Sequence, residues 1–318
     1  MTTTFWSNKR VLVTGGTGFL GSHVMEQLAG AGARDVFAVR HADYDLTREA
    51  DVERLFGEHP ADVVIHLAGL VGGILPNKRR PAEYLYRNLT MGTFVMHYSW
   101  KSGAKRFVAA GAGCGYPLNA PMPLKEDDLW TGIPQPESAP YSLAKRMLTI
   151  QGEAYHRQYG FNAVVCIPGN IYGPHDNFNL EDAHVIPALV RKFVEAADRK
   201  AESLVVWGSG RATRDFVYAG DVAQGLLRAA EKIEGFDVIN LGAGRDTAVS
   251  EVVDLLTEIT GFKGRVELDR SKPEGQARRL MDSSRALERL GWRAETGLRR
   301  GLELTVDWYR RHQDEARK

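Results

Sequence analysis

The sequence predicts an α/β protein built as a doubly wound parallel sheet, with a smaller, discontinuous C-terminal domain. Three observations predict it. Short β-branched runs alternate with helical stretches through the first half of the chain, and that alternation implies a parallel sheet covered on both faces. A glycine-rich turn, GGTGFLG, stands between the first run and the first helix. After Pro174 the alternation becomes less regular, and helices appear outside the strand–helix repeat.

Taken in order, RVLVT (10–14) reads as a buried strand. SHVMEQLAGAG follows as a helix ending at glycine. DVFAVR (35–40) is a second strand, TREADVERLFGEH a helix and ADVVIHLAG a third strand. PAEYLYRNLTMGTFVMHYSWKSG is a long helix, KRFVAAG a strand, and SAPYSLAKRMLTIQGEAYHRQYG another long helix. NAVVCIPGNIYGP is a strand with its exit loop. DVINLGAG (237–244) reads as a late strand rejoining the sheet, whereas TAVSEVVDLLTEITG and LRRGLELTVDWYRRH are helices of the second domain. The expected division is 1–168 with 217–243 for the nucleotide-binding domain, and 169–216 with 244–318 for the smaller one. Ligands are then expected at the carboxyl ends of the strands.

The chain has 318 residues, 43% hydrophobic and 25% charged, enough for a sizeable core. A formal net charge of +1 gives no reason to expect nucleic acid or a membrane surface as partner. Two cysteines, Cys114 and Cys166, make no disulfide framework and suit a reducing cytoplasm. The N-terminal segment has no signal-peptide core, no apolar run is long enough to span a membrane, and no metal-ligand set is expected.

Gly15, Gly18 and Gly21 give G-x-x-G-x-x-G between a strand and a helix, the context that makes such a motif a dinucleotide site of Rossmann type. The first glycine permits the tight turn, and the others let backbone approach a pyrophosphate at the helix N-terminus. Candidate cofactor contacts are Gly15, Thr17, Gly18, Phe19, Leu20, Gly21, Arg40, Asp45, Leu46, Leu67, Ala68, Gly69, Lys145, Pro168, Asn170 and Ile171. The second strand ends in Arg40-His41, where an NAD site usually has a carboxylate. A guanidinium there pairs with a 2′-phosphate, so NADP is the expected cofactor and NAD the alternative. Asp45 is placed on the adenine side.

Tyr141 and Lys145 are four apart in a helical stretch and so share one face. A cation beside a phenol lowers its pKa, giving a group that exchanges a proton with a sugar hydroxyl while hydride moves. In RFVAAGAGCGYP, Cys114 sits in a strand-end turn that carries no serine or threonine.

With these motifs the chain resembles the extended short-chain dehydrogenase/reductase family over nearly its whole length. AGLVGGI (68–74), GCGYP, PYSLAK, NIYGPHDNF, HVIPALVRKF, VVWGSG, RDFVYAGDVA and SKPEG resemble the branch that epimerises a GDP-linked 4-keto-6-deoxy-hexose at C3 and C5 and then reduces C4 with NADPH. The resemblance implies Tyr141 and Lys145 as the catalytic tyrosine and lysine, and Cys114 and His184 as the acid/base pair of epimerisation. A thiol and an imidazole both titrate near neutrality, so either can take either role. For substrate, the resemblance points to Arg214 on the diphosphate, with Lys192 and Lys272 as further cations. Asn170 is a candidate to hold the sugar or a nucleotide phosphate, His184 is a further substrate contact, and Trp207 is expected either against the base or in the core. It also implies a nucleotide-diphosphate sugar as the substrate, and a homodimer through the helices around 80–102 and 139–159.

The sequence departs from the family pattern twice. A serine pair expected in the strand-end turn is replaced by Ala112 and Gly113, and a basic residue of the glycine loop is replaced by Thr17. The first removes a hydrogen-bond donor to the reacting C4 oxygen, a loss on the order of a hundredfold in rate. The second leaves Arg40 as the sole expected contact to a 2′-phosphate.

Overall fold

The computed structural model describes residues 4–271 and 275–316. Six parallel strands form the main sheet: β1 (Arg10–Thr14), β2 (Asp35–Val39), β3 (Val63–His66), β4 (Arg106–Ala110), β5 (Asn162–Pro168) and, rejoining late, β10 (Phe236–Leu241). Between β5 and β10 lie the short β6 (Asn170–Tyr172), β7 (Ser203–Trp207), β8 (Thr213–Arg214) and β9 (Phe216–Tyr218). The chain then adds β11 (Thr247–Ala248) and β12 (Arg265–Asp269). The helices are α1 (Phe19–Gly30), α2 (Glu49–Glu58), α3 (Ile74–Arg79), α4 (Pro81–Lys101), α5 (Ala139–Tyr159), α6 (Val185–Asp198), α7 (Ala219–Lys232), α8 (Val249–Thr260), α9 (Ser284–Leu290) and α10 (Leu298–Arg311).

The sheet order is β10-β5-β4-β3-β1-β2, so the winding reverses between β1 and β3. Strands leave a crevice at such a reversal, and ligands bind there at the carboxyl ends. Because side chains alternate across a strand, successive residues feed separate cores. Val11, Val13, Val63 and Ile65 pack with α1 and α7 residues on one face. Leu12 and Val64 pack with Val95, Met96 and Leu148 of α4 and α5 on the other.

A third core unites α6, α8 and α10 with β7 and β9, through Phe193, Val206, Phe216, Leu256 and Leu302. Among the described residues this lobe carries only two-stranded pairings, β12 with β7, β11 with β8, and β6 with β9. Lys272 falls outside the described residues.

Candidate active site

The glycine turn is shaped by exclusion. Gly15 has φ +70°, and a Cβ there would lie 2.8 Å from the Ala68 amide nitrogen. A Cβ at Gly21 would overlap the Gly15 carbonyl. The turn is closed by Gly18 N–H donating to Gly15 O at 2.9 Å. Phe19, Leu20 and Gly21 then form the first turn of α1, whose amides have no intrahelical acceptor. Across the crevice, Leu67 N–H donates to Thr14 O and Ala68 N–H to Thr14 Oγ1. The glycine turn and Leu67–Gly69 therefore form the two lips of the sheet reversal, bare enough for a dinucleotide pyrophosphate.

On the adenosine side, Arg40 ends exposed beyond β2. It donates to both Asp43 oxygens, Nε to Oδ2 at 2.8 Å and Nη2 to Oδ1 at 3.3 Å. An exposed pair of this kind is weak and exchanges readily for a phosphate. Thr17 is exposed on the glycine turn, and Leu46 is buried in the core beside Val39 and Tyr44. The Asp45 carboxylate is spent on its own turn, accepting from Thr47 N–H at 3.0 Å and Thr47 Oγ1 at 2.7 Å. Pro168, Asn170 and Ile171 leave the sheet together, with Asn170 N–H held by Asp215 O.

Tyr141 and Lys145 face inward from α5, both buried. Lys145 Nζ donates to Ala110 O, the last carbonyl of β4, at 3.2 Å, and packs so close to Gly69 that a Cβ there would meet it at 3.2 Å. Burial pulls the Lys145 ammonium down to about 8. The structure corrects one expectation here. Burial pushes the Tyr141 phenol above its ordinary value, and Cys114 and Tyr84 push it the same way. Without a charged neighbour in hydrogen-bond reach, desolvation of the phenolate outweighs attraction to the ammonium. Tyr141 is thus held protonated, the form that donates.

Cys114 lies in a single 3₁₀ turn, Gly113–Gly115, immediately beyond β4. Its sulfur, when ionised, is electrostatically coupled to both Tyr141 and Lys145. The turn is pressed between two walls. A Cβ at Gly113 would sit 3.0 Å from Pro168 O and 3.0 Å from Met281 Cε. A serine at position 113 would therefore need Met281 or the Pro168 backbone to give by a few tenths of an ångström.

His184 caps α6. It is reached by solvent, yet crowding desolvates its imidazolium and lowers its pKa. The Asp182 and Ala183 carbonyls before it lie within 4 Å of where a Gly73 side chain would start, so the segment leading into α6 abuts the 68–74 loop. That loop is backed by Tyr84, whose ring meets Tyr141 edge-on at 6.2 Å. No hydrogen bond joins His184 to Cys114.

On the outer side of the second lobe, Lys192 of α6 stands over the exposed Trp207 ring at 5.1 Å and donates to Val205 O. Arg214 on β8 is half-buried, with Nη1 donating to Thr213 O at 2.7 Å. These cations are not drawn into the cluster around Tyr141.

Two residues here had no clear signal in the sequence. His66 ends β3 fully buried, bonded to Thr14 Oγ1 at 2.8 Å and pushed down to about 3 by burial and then by Lys145. It is a neutral wedge behind the glycine turn, and a histidine in a β-branched run was its only signal. Arg279 reaches the cysteine turn from the 275–282 segment, to which the sequence alone assigned no role.

Among the described residues no cluster of His, Cys, Asp and Glu could hold a metal ion, and no helix is long and apolar enough to cross a membrane.

Comparison with known proteins agrees with this architecture. The NAD dependent epimerase/dehydratase family model matches residues 11–242. GDP-L-fucose synthase 1 of Arabidopsis thaliana is 38% identical over 300 residues, 94% of this chain and 93% of the plant protein. An NADP-bound GDP-L-fucose synthetase from Naegleria fowleri superposes with a TM-score of 0.93 at 27% identity, covering 99% of this chain and 97% of that one. A GDP-6-OMe-4-keto-L-xylo-heptose reductase from C. jejuni superposes with a TM-score of 0.91 at 28% identity, covering 98% of this chain and 100% of that one.

Proposed function

The chain belongs to the NAD dependent epimerase/dehydratase family, and from that premise we propose that it epimerises a GDP-linked 4-keto-6-deoxy-hexose at C3 and C5 and reduces C4 with NADPH. The observation that carries this reading is the convergence of Tyr141, Lys145 and Cys114 at the carboxyl end of β4, beside a glycine turn shaped for a dinucleotide. The named relatives act on GDP-sugars, and the Naegleria fowleri protein binds NADP. NADPH, when bound, supplies the hydride.

The roles follow from environment. Tyr141 is a buried, protonated phenol that delivers its proton to the C4 oxygen as that oxygen gains charge. Lys145, anchored on Ala110 O, holds a positive charge beneath the site. Cys114 and His184 carry out the epimerisation, which needs one group to take a proton beside the ketone and another to return one to the opposite face. Lys192, Arg214 and Trp207 lie on the second lobe, where a nucleotide diphosphate would be gripped by cations and an aromatic face. The smaller lobe, 169–216 with 244–318, is then the nucleotide-sugar half, and 1–168 with 217–243 the cofactor half.

A second reading, epimerisation with little net reduction, is favoured by Ala112, which offers no hydroxyl to the C4 oxygen. Incubation with GDP-4-keto-6-deoxy-mannose and NADPH in deuterated water separates the two. NADPH oxidation with deuterium at C3 and C5 supports the first reading, deuterium without oxidation supports the second, and neither outcome defeats both.

The outer faces of α4 and α5 expose Leu85, Tyr86, Leu143, Met147 and Ile150, an apolar surface suited to a second copy of the chain. A homodimer through these helices is part of the proposal, and a monomer mass by light scattering would end it. Two free thiols fit a cytoplasmic enzyme.

A further inference from the structure

Arg40 and Asp43 both fall about 20 residues past the glycine turn, where a dinucleotide site reads the adenosine ribose. A carboxylate there accepts the 2′-hydroxyl of NAD, and an arginine there meets the 2′-phosphate of NADP. This chain has one of each, and the two are bonded to one another. Arg40 Nε donates to Asp43 Oδ2 at 2.8 Å and Nη2 to Oδ1 at 3.3 Å. The bond from Arg40 holds the Asp43 carboxyl below its ordinary range, so it is charged at neutral pH.

The carboxylate cannot withdraw with its backbone. Asp43 N–H and Tyr44 N–H both donate to Arg40 O at 3.1 Å, which closes the turn on itself. From α2, Arg54 Nη2 donates to Asp43 O at 2.8 Å, and its guanidinium stands 4.3 Å from the centre of the Tyr44 ring. Tyr44 is in turn buried in the core with Val39 and Leu46. Arg54 is also tied to Asp51 of its own helix at 3.3 Å. Thr17, on the glycine turn, offers no charge.

A 2′-phosphate brings about two negative charges to this turn. Arg40 can turn to it, but Asp43 stays beside both. The phosphate then either shares the guanidinium or leaves the carboxylate unpaired next to it. Like charges at that range repel, and the repulsion subtracts from the gain of the arginine–phosphate contact. A 2′-hydroxyl meets no such conflict, because the ion pair stays closed and the carboxylate still has lone pairs to accept it. We propose that Asp43 is a specificity-determining residue that offsets Arg40, so that the site accepts NADH as well as NADPH. This rests on the NADPH reading proposed above and adds a second nicotinamide cofactor to it.

The test is calorimetric titration of the full-length protein, without sugar, with NADPH and with NADH. Wild type should bind NADPH at most about tenfold more tightly than NADH. Asp43→Asn keeps the shape of the side chain and removes its charge. It should tighten NADPH about fivefold and weaken NADH about threefold. Asp43→Glu keeps the charge and should hold the wild-type ratio within about threefold. Arg40→Gln should weaken NADPH about tenfold and NADH less, which brings the two together. A larger wild-type preference for NADPH overturns the proposal, and so does an NADPH-to-NADH ratio that Asp43→Asn leaves unchanged. Binding of neither nucleotide defeats the cofactor reading and this inference together. Binding of both with a ratio indifferent to residue 43 defeats this inference alone.

Discussion

Tyr141 and Lys145 stand on the buried face of a 21-residue helix packed on a six-stranded sheet, while Trp207 ends a strand of a two-stranded sheet and Lys192 stands on a helix, the tryptophan 51% exposed. The first pair is fixed by core packing on every side, whereas the second is a surface feature of a smaller lobe. Bond making needs reacting groups placed to a fraction of an ångström, and a nucleotide's grip can be shared among several weak contacts. The buried wall should therefore fail abruptly on substitution, and the exposed wall gradually.

The largest effect is expected at the buried wall. Tyr141→Phe removes the proton donor without changing the shape of the core, and NADPH oxidation should fall about a thousandfold. A loss below tenfold would move the proton donor elsewhere.

Lys145→Met comes next and separates stability from function. Activity should drop about a hundredfold or more. The folded-state pKa of Lys145 is pulled down to about 8, below its ordinary 10.5, so the native state binds this proton more weakly than the unfolded chain does. Stability therefore rises with pH between about 8 and 10.5, and below that window the buried ammonium is a cost. Replacing it should stabilise the protein by about 1–2 kcal/mol at neutral pH, once the lost bond to Ala110 O is deducted. The gain should shrink toward pH 10, as read from urea unfolding. An equal gain at both pH values would contradict the burial argument.

Ala112→Ser follows, restoring a hydroxyl to the turn. It should raise the C4 reduction rate about tenfold. No change would show that the site has dispensed with this donor. The mildest effect belongs to the exposed wall, where Trp207→Ala should raise KM for the GDP-sugar by about threefold to tenfold with kcat nearly unchanged. A collapse of kcat there would erase the contrast between the walls.

The same contrast governs what the sequence revealed. The parallel sheet, the glycine turn and the Tyr141–Lys145 face were legible because each follows from local periodicity or spacing. The sign of the Tyr141 shift was not, since burial depends on β4, α4 and Cys114 arriving from distant parts of the chain. Gly113 looked interchangeable with Ala112 until Pro168 and Met281 were seen to press on it. The contact of Arg279 with the cysteine turn was hidden for the same reason, because it is made to a carbonyl 166 residues away in sequence.

The central claim is that proton exchange at C3 and C5 belongs to the cysteine turn, and hydride delivery to the tyrosine helix. Deuterium incorporation by Tyr141→Phe, with the GDP-4-keto sugar and NADP⁺ in deuterated water, tests it most directly. The account predicts exchange within about tenfold of wild type, in an enzyme that no longer oxidises NADPH. Exchange that falls as far as reduction does would contradict it.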